Sequence, residues 1–318
     1  MYFHIGSPLY SNSSCGKITS MKELALIGPT ASGKSDLALK LALENNAYIL
    51  SLDSLSLYKE IDIAAAKPSK EELSLIQHFG IDIISPNEEF SVGTFAQIYK
   101  DLKQQCINDK KNLVIVGGSS FYLRTLLQGL SVIPQYSHET KLKVKEFLSD
   151  LPSAYDFLLK TDPEYMNNID ENDKYRIEKM LLISVQTGLS PTAYFEQNPP
   201  KPIIETLPIY EIDVERDYLK ERITLRTQKM LDMGLVNEVC HLEHTYTRSP
   251  NALKAIGIIE VFDYLDGRLS HEEMKDEIIL HTVQLAKRQQ TFNRTQFPQR
   301  RLLSIEEIYK KASGFFTT

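Results

Sequence analysis

Gly28-Pro29-Thr30-Ala31-Ser32-Gly33-Lys34-Ser35 is the segment whose residue types and spacing most directly imply chemistry. Its glycines let the backbone curl round an anion, so that successive N–H groups and a helix N-terminus converge on it. Lys34 adds a full positive charge, and the Ser35 hydroxyl is suited to ligate Mg²⁺. The apolar run Leu24-Ala25-Leu26-Ile27 precedes the segment, and an amphipathic stretch from Asp36 to Ala42 follows it. That is the strand–loop–helix context of a phosphate-binding loop. A diphosphate or triphosphate is the expected ligand, and phosphoryl transfer or nucleotide hydrolysis is the default chemistry.

Two further segments narrow this. The apolar run Ala47–Leu52 ends in Asp53-Ser54, continues as Leu55-Ser56-Leu57-Tyr58-Lys59, and reaches Ala66-Lys67-Pro68. An Asp at the carboxyl end of a parallel strand points into the crevice where such sheets bind ligands. Asp53 could hold Mg²⁺ through water, orient a hydroxyl, act as a general base, or cap the next helix. Leu113–Val116 then runs into Gly117-Gly118-Ser119-Ser120-Phe121-Tyr122-Leu123-Arg124, where many nucleotide hydrolases carry a metal-binding Asp. Two glycines and a hydroxyl make a second close-approach loop instead, which speaks against ordinary hydrolysis. Ser119 also reads as a helix N-cap.

Strands are expected near residues 23–28, 47–52, 81–84, 112–117, 207–213 and 301–304, with helical patterns between them. The alternation implies a parallel α/β sheet with helices on both faces. The polar, helix-patterned block 134–202 has no strand signal and is bounded by Pro134 and Pro199-Pro200-Lys201-Pro202. It reads as a helical insertion between core segments 21–133 and 203–318, and long amphipathic helices follow Val214. Residues 1–20 lack the basic start and apolar stretch of a signal peptide. They read as a disordered leader, with Met21 as the functional start.

The 318 residues, 42% of them hydrophobic, can bury a substantial core. No apolar stretch approaches the ~18 residues of a membrane span. Cys15, Cys106 and Cys240 form neither a disulfide framework nor a zinc pattern. The net charge is −6, yet no acidic residue lies between Ile278 and Ile305, where Lys287, Arg288, Arg294, Arg300 and Arg301 fall. Phe292 and Phe297 stand among these cations, an arrangement suited to phosphates and unpaired bases. The alternative is a solvated helix face with two core phenylalanines.

Taken in order, G-P-T-A-S-G-K-S, D-S-L-S-L-Y-K with A-K-P, G-G-S-S-F-Y-L-R and A-K-R-Q-Q-T-F resemble the tRNA dimethylallyltransferase family of bacterial type, from about Lys22 to Arg294. The resemblance implies a P-loop NTPase-like core whose loop holds the diphosphate of dimethylallyl diphosphate, with Mg²⁺ as cofactor. The implied acceptor is N6 of adenosine 37 in tRNAs reading codons that begin with U, and the insertion clasps the anticodon stem-loop. Asp53 is then the general base, Ser119 contacts the leaving oxygen, and Arg222 reaches the pyrophosphate, with Arg226 one turn on. RNA contacts are implied for Asp53, Ser54, Leu55, Ser56 and Ser119, and in the insertion for Lys141, Tyr175 and Arg176. Further contacts are implied for Lys254, Gly257, Lys287, Arg288, Gln289, Phe292 and Arg294. A cytoplasmic monomer is expected.

Several positions depart from the family pattern. Ser56 stands where Gln is usual, Ala64-Ala65 where Gly-Thr is usual, and Ile258 where Tyr is usual. Asn172-Asp173 lacks its customary His-Pro, Lys179-Met180 replaces Arg-Ala, and Val283 interrupts a Thr-Arg-Gln. Most of these are expected on the RNA-facing side, leaving diphosphate chemistry intact. Two other classes stay open: a metabolite kinase using ATP at the loop, and a catalytically dead RNA-binding protein.

Overall fold

The computed structural model describes residues 21–317, so the leader reading of residues 1–20 lies outside the described residues. Strand β1 (Glu23–Ile27) alternates its side chains between two cores: Ala25 and Ile27 face one, Leu24 and Leu26 the other. Both faces of a parallel strand are covered by helices, which is why the run is apolar throughout. Helix α1 (Lys34–Glu44) springs from the loop after β1, with Gly33 at its N-cap in the left-handed region (φ 91°). β2 (Ala47–Ser51) follows, then α2 (Lys70–Leu75), started by a capping box of Ser69 and Glu72.

The strand expected at 81–84 is displaced. β3 comprises only His78–Phe79, paired with Ile49 and Leu50. Gly80, at φ 80°, turns the chain away, and residues 82–84 bond instead to the loop after β2 (Asp82 N to Ser56 O 3.0 Å, Ile83 N to Leu57 O 2.8 Å). Periodicity registered the apolar residues and could not register the turn.

α3 (Val92–Asp109), β4 (Asn112–Gly117) and α4 (Ser120–Gln128) complete the first part of the core. Five helices then occupy the expected insertion: α5 (His138–Phe147), α6 (Leu151–Thr161), α7 (Pro163–Met166), α8 (Lys174–Thr187) and α9 (Pro191–Gln197). Each begins at a Ser or Asp whose side chain accepts a hydrogen bond from a first-turn N–H. They share an apolar core of their own around Leu158, Ile177 and Leu181.

The chain re-enters the sheet as β5 (Ile209–Ile212) and continues through α10 (Arg216–Asp232), α11 (Leu235–Tyr246), α12 (Ile259–Leu265) and the 26-residue α13 (His271–Gln296). β6 (Arg301–Leu303) and α14 (Ile305–Thr317) close the fold. The six strands are parallel in the order β3-β2-β4-β1-β5-β6. β4 therefore lies between β1 and β2, and the three motif loops leave adjacent carboxyl ends.

Another apolar core joins Ile61, Ala64 and Ala65, beyond β2, to α11, α12 and α13 through Leu235, Ile258 and Met274. Glu238 secures the junction by accepting from the N–H groups of Asp62, Ile63 and Ala64 at 2.7–2.9 Å. Lys67 of Ala66-Lys67-Pro68 turns inward to Tyr58 O (2.8 Å), Asp62 (2.7 Å) and Asp82 (2.5 Å), so it closes this loop.

β5 carries a buried charge. Glu211 accepts from Asn293 Nδ2 at 2.7 Å and pairs with Arg300, tying the end of α13 to the sheet. Removing one partner of a buried pair strands the other charge. Arg300→Ala is expected to cost about 3 kcal/mol of stability, read from urea unfolding; a loss within experimental error would mean the pair contributes nothing. Phe297, expected among base-stacking groups, is instead 1% exposed in the core beneath α3 and α4. Among the described residues no helix is long and apolar enough to cross a membrane.

Candidate active site

The phosphate-binding loop, residues 28–35, crosses the carboxyl end of β1. Lys34 is buried, and its Nζ donates to Pro29 O at 2.6 Å across the loop. Burial, and then the nearby charge of Arg226, push its ammonium down to about 7, partly opposed by Asp53 and Glu211. Ser32 Oγ is buried inside the loop with no hydrogen-bond partner, a donor left for an anion to satisfy. Ser35 is exposed on the first turn of α1.

Helix α10 supplies cations from one side. Arg222 Nε donates to Ala31 O at 2.7 Å, and Arg226 donates to Thr30 Oγ1 at 3.0 Å. The two arginines are one turn apart and reach the same crest of the loop. Burial holds the Arg226 guanidinium below the usual arginine range. From the other side Gln289 of α13 accepts from Thr30 N at 2.8 Å.

Asp53 lies just past β2 and is half-buried. Its Oδ1 accepts from Leu55 N (2.8 Å) and Ser56 N (3.3 Å), so it does cap the following turn. That leaves Oδ2 with no hydrogen bond among the described residues, so the capping and general-base readings are compatible. Ser119 begins α4 without capping it: its Oγ accepts from Ser54 N (3.2 Å) and donates to Ser54 Oγ (3.3 Å), joining the second and third motif loops. Gly117 permits that closeness, since a Cβ there would stand 2.7 Å from Leu52 Cβ.

Ser54, Gly118, Ser119, Tyr122, Arg288, Gln289 and Phe292 line a cavity of about 350 Å³ beside the loop. Tyr122 stacks on Phe95 with ring centroids 4.5 Å apart, and burial pushes its phenol up to about 12, so it remains a hydrogen-bond donor. Larger cavities lie elsewhere, around Lys22, Lys103 and Ile203, on faces that carry none of the motif residues. Chemistry, not size, selects the smaller one.

The structure thus brings together Asp53, Ser54, Ser119, Arg222, Arg288, Gln289, Phe292 and the phosphate loop. Lys287 and Arg294 lie exposed on the outer side of α13. Lys141, Tyr175 and Arg176 are exposed on α5 and α8, Arg176 pairing with Asp173 at 2.6 Å, and none contacts this site. Lys254 is exposed and bonds Asn251 (3.1 Å), while Gly257 is buried and donates its N–H to Glu260 (2.6 Å). Leu55 is half-buried and packs on the core shared with α11 and α12.

The departures from the family pattern divide: Asn172 and Lys179 are exposed and Asp173 and Val283 half-buried, whereas five others are interior. Ser56, Ala64, Ala65, Met180 and Ile258 are all at most 8% exposed. Ala64, Ala65 and Ile258 pack in the core shared with α11, α12 and α13, Met180 packs in the core of the insertion, and Ser56 is buried in the turn that Asp53 caps. Sequence reading also passed over Glu211, although a carboxylate inside the apolar run Ile209–Ile212 is itself a signal.

Comparison with known proteins meets this geometry. The profile of the IPP transferase family matches residues 56–296, three quarters of the chain. The chain belongs to the IPP transferase family. A tRNA dimethylallyltransferase of Sulfurimonas denitrificans is 56% identical over 288 residues, covering 91% of this chain and 97% of that protein. The crystal structure of the tRNA isopentenylpyrophosphate transferase of Bacillus halodurans superposes with a TM-score of 0.66 at 28% identity, covering 93% of this chain and 95% of that one. A eukaryotic dimethylallyltransferase caught acting on tRNA gives a TM-score of 0.75 at 25% identity, over 86% of this chain and 70% of that one. With IPP transferase membership, the metabolite-kinase reading falls.

Proposed function

We propose that the chain transfers the dimethylallyl group of dimethylallyl diphosphate to N6 of adenosine 37 in tRNAs that read codons beginning with U, in the cytoplasm. The carrying observation is the convergence of Arg222 and Arg226 on the crest of the phosphate loop, whose Lys34 also feels the charge of Asp53. In the reaction a C–N bond forms at the allylic carbon as its C–O bond breaks, and pyrophosphate leaves with the electron pair. The loop N–H groups, Lys34, Arg222 and Arg226 stabilise that charge where it develops. Ser119 donates to the departing oxygen, and Asp53 accepts the N6 proton.

Mg²⁺ is the proposed cofactor. The Ser35 hydroxyl, exposed on the first turn of α1 at the phosphate loop, would be the residue to hold it. When bound it neutralises charge on the pyrophosphate.

The surface that would receive the anticodon stem-loop is formed by the outer face of α13 and by the exposed side chains of α5 and α8. Lys287→Ala and Arg294→Ala are each expected to reduce the salt slope of tRNA binding by about 1, and unchanged slopes would move the RNA surface elsewhere. The reaction itself is tested by mass spectrometry of nucleosides from unmodified tRNA incubated with protein, Mg²⁺ and dimethylallyl diphosphate. An isopentenyl increment on the adenosine beside the anticodon is expected. Its absence despite diphosphate binding would favour an RNA-binding protein without activity.

A further inference from the structure

α13 presents two different faces. Lys287 and Arg294 point outward, Arg288 lines the site cavity, and Ala286, Gln289 and Asn293, at i, i+3 and i+7, turn toward the sheet. The inward face is anchored at its end, because Asn293 donates to the buried Glu211 and Arg300 pairs with the same carboxylate. One turn earlier, Gln289 Oε1 accepts the backbone N–H of Thr30 at the crest of the phosphate loop (2.8 Å). The nitrogen end of the carboxamide lies against Gly118, where an added Cβ would run into Nε2. Thr30 is held a second time by Arg226 from α10 (3.0 Å). A single neutral side chain therefore touches both the phosphate loop and the glycine loop, from a helix whose outer face carries Lys287 and Arg294.

From this juxtaposition we infer that Gln289 is a positioning residue that couples RNA docking to diphosphate binding. The inference rests on the proposed function and reassigns Gln289 from an RNA contact to a link behind the RNA surface. RNA held by Lys287 and Arg294 restrains α13. The restrained helix fixes the Gln289 carboxamide, and that in turn fixes the crest of the loop. A diphosphate then binds a loop whose ordering cost has been met by the RNA. The relation is reciprocal, so each ligand tightens the other by the same factor.

The test is calorimetric titration of magnesium pyrophosphate into the full chain, with and without saturating unmodified tRNA. In the wild type, tRNA is expected to tighten pyrophosphate by about tenfold. Gln289→Met keeps the length and loses the acceptor. It should bring that factor below about twofold while leaving tRNA affinity in the absence of pyrophosphate within about threefold. A merely structural role would weaken both affinities and leave their coupling factor unchanged, and that result would overturn the inference. Gly118→Ala displaces the same carboxamide from its other side and should also abolish coupling. The double variant should be no worse than either single one, whereas additive losses would count against a shared link. Wild-type protein that binds both ligands independently would overturn this inference alone. Failure to bind pyrophosphate at all would overturn the proposed function with it.

Discussion

Asp53→Ala is expected to slow single-turnover prenyl transfer by about 10²–10⁴-fold, with tRNA affinity nearly unchanged. The expectation follows from what Asp53 does in the fold. One oxygen is committed to Leu55 N and Ser56 N, which orients the carboxylate at the end of β2. The other oxygen makes no hydrogen bond among the described residues and is left for the acceptor amine. Asp53→Asn separates the two duties, because its amide oxygen can still accept the turn N–H groups but cannot take up a proton. If the Asn variant is as slow as the Ala variant, proton acceptance is the role that matters. An Asn variant close to wild type would reduce Asp53 to a turn cap, and near-normal rates in both would remove it from the mechanism.

Lys34→Met is expected to lower kcat/KM by about 10²–10³-fold, the cost of removing one donor aimed at developing charge. The variant also carries a proton signature. Burial and Arg226 hold the Lys34 ammonium near 7 in the free protein. A bound diphosphate favours the charged form, so at pH 8 binding should take up as much as about one proton. Affinity should therefore weaken as pH rises above 7. Calorimetry in two buffers of different ionisation enthalpy measures the uptake, and Lys34→Met should abolish it. Uptake that persists in the variant would assign the proton elsewhere.

The sign for folding stability is the opposite. Lys34 has a lower pKa folded than unfolded, so the unfolded chain binds more protons between about 7 and the ordinary lysine range. The Lys34 contribution is thus fully present above that range and is lost as pH falls through 7.

The motifs that carry the chemistry were legible because they are local. A glycine-rich loop between an apolar run and an amphipathic run needs no distant partner to be recognised. The same holds for Asp53 at a strand end and for Gly117-Gly118 before a helix. Five of the six strands lie where apolar runs predicted them, and the sixth was missed because Gly80 turns the chain before the run can pair. Phe292 and Phe297 show the limit from another direction. The two aromatics stand five residues apart beside the same cations, yet Phe292 lines the site cavity and Phe297 is core.

By itself the sequence determined the phosphate loop, the carboxylate, the family and a parallel α/β core, since each is written in short-range spacing. Tertiary structure alone decided that β4 lies between β1 and β2, which sets Ser119 against Ser54. It also decided that Gln289, 259 positions from Thr30, closes on the phosphate loop, and that Glu211 pins the helix bearing it. It moved Ser56, Ala64, Ala65 and Ile258 from an expected surface into packed interiors. The reason is the same each time. Burial and cross-element hydrogen bonds depend on which elements become neighbours, and that is settled by the packing free energy of the whole chain rather than by any window of it.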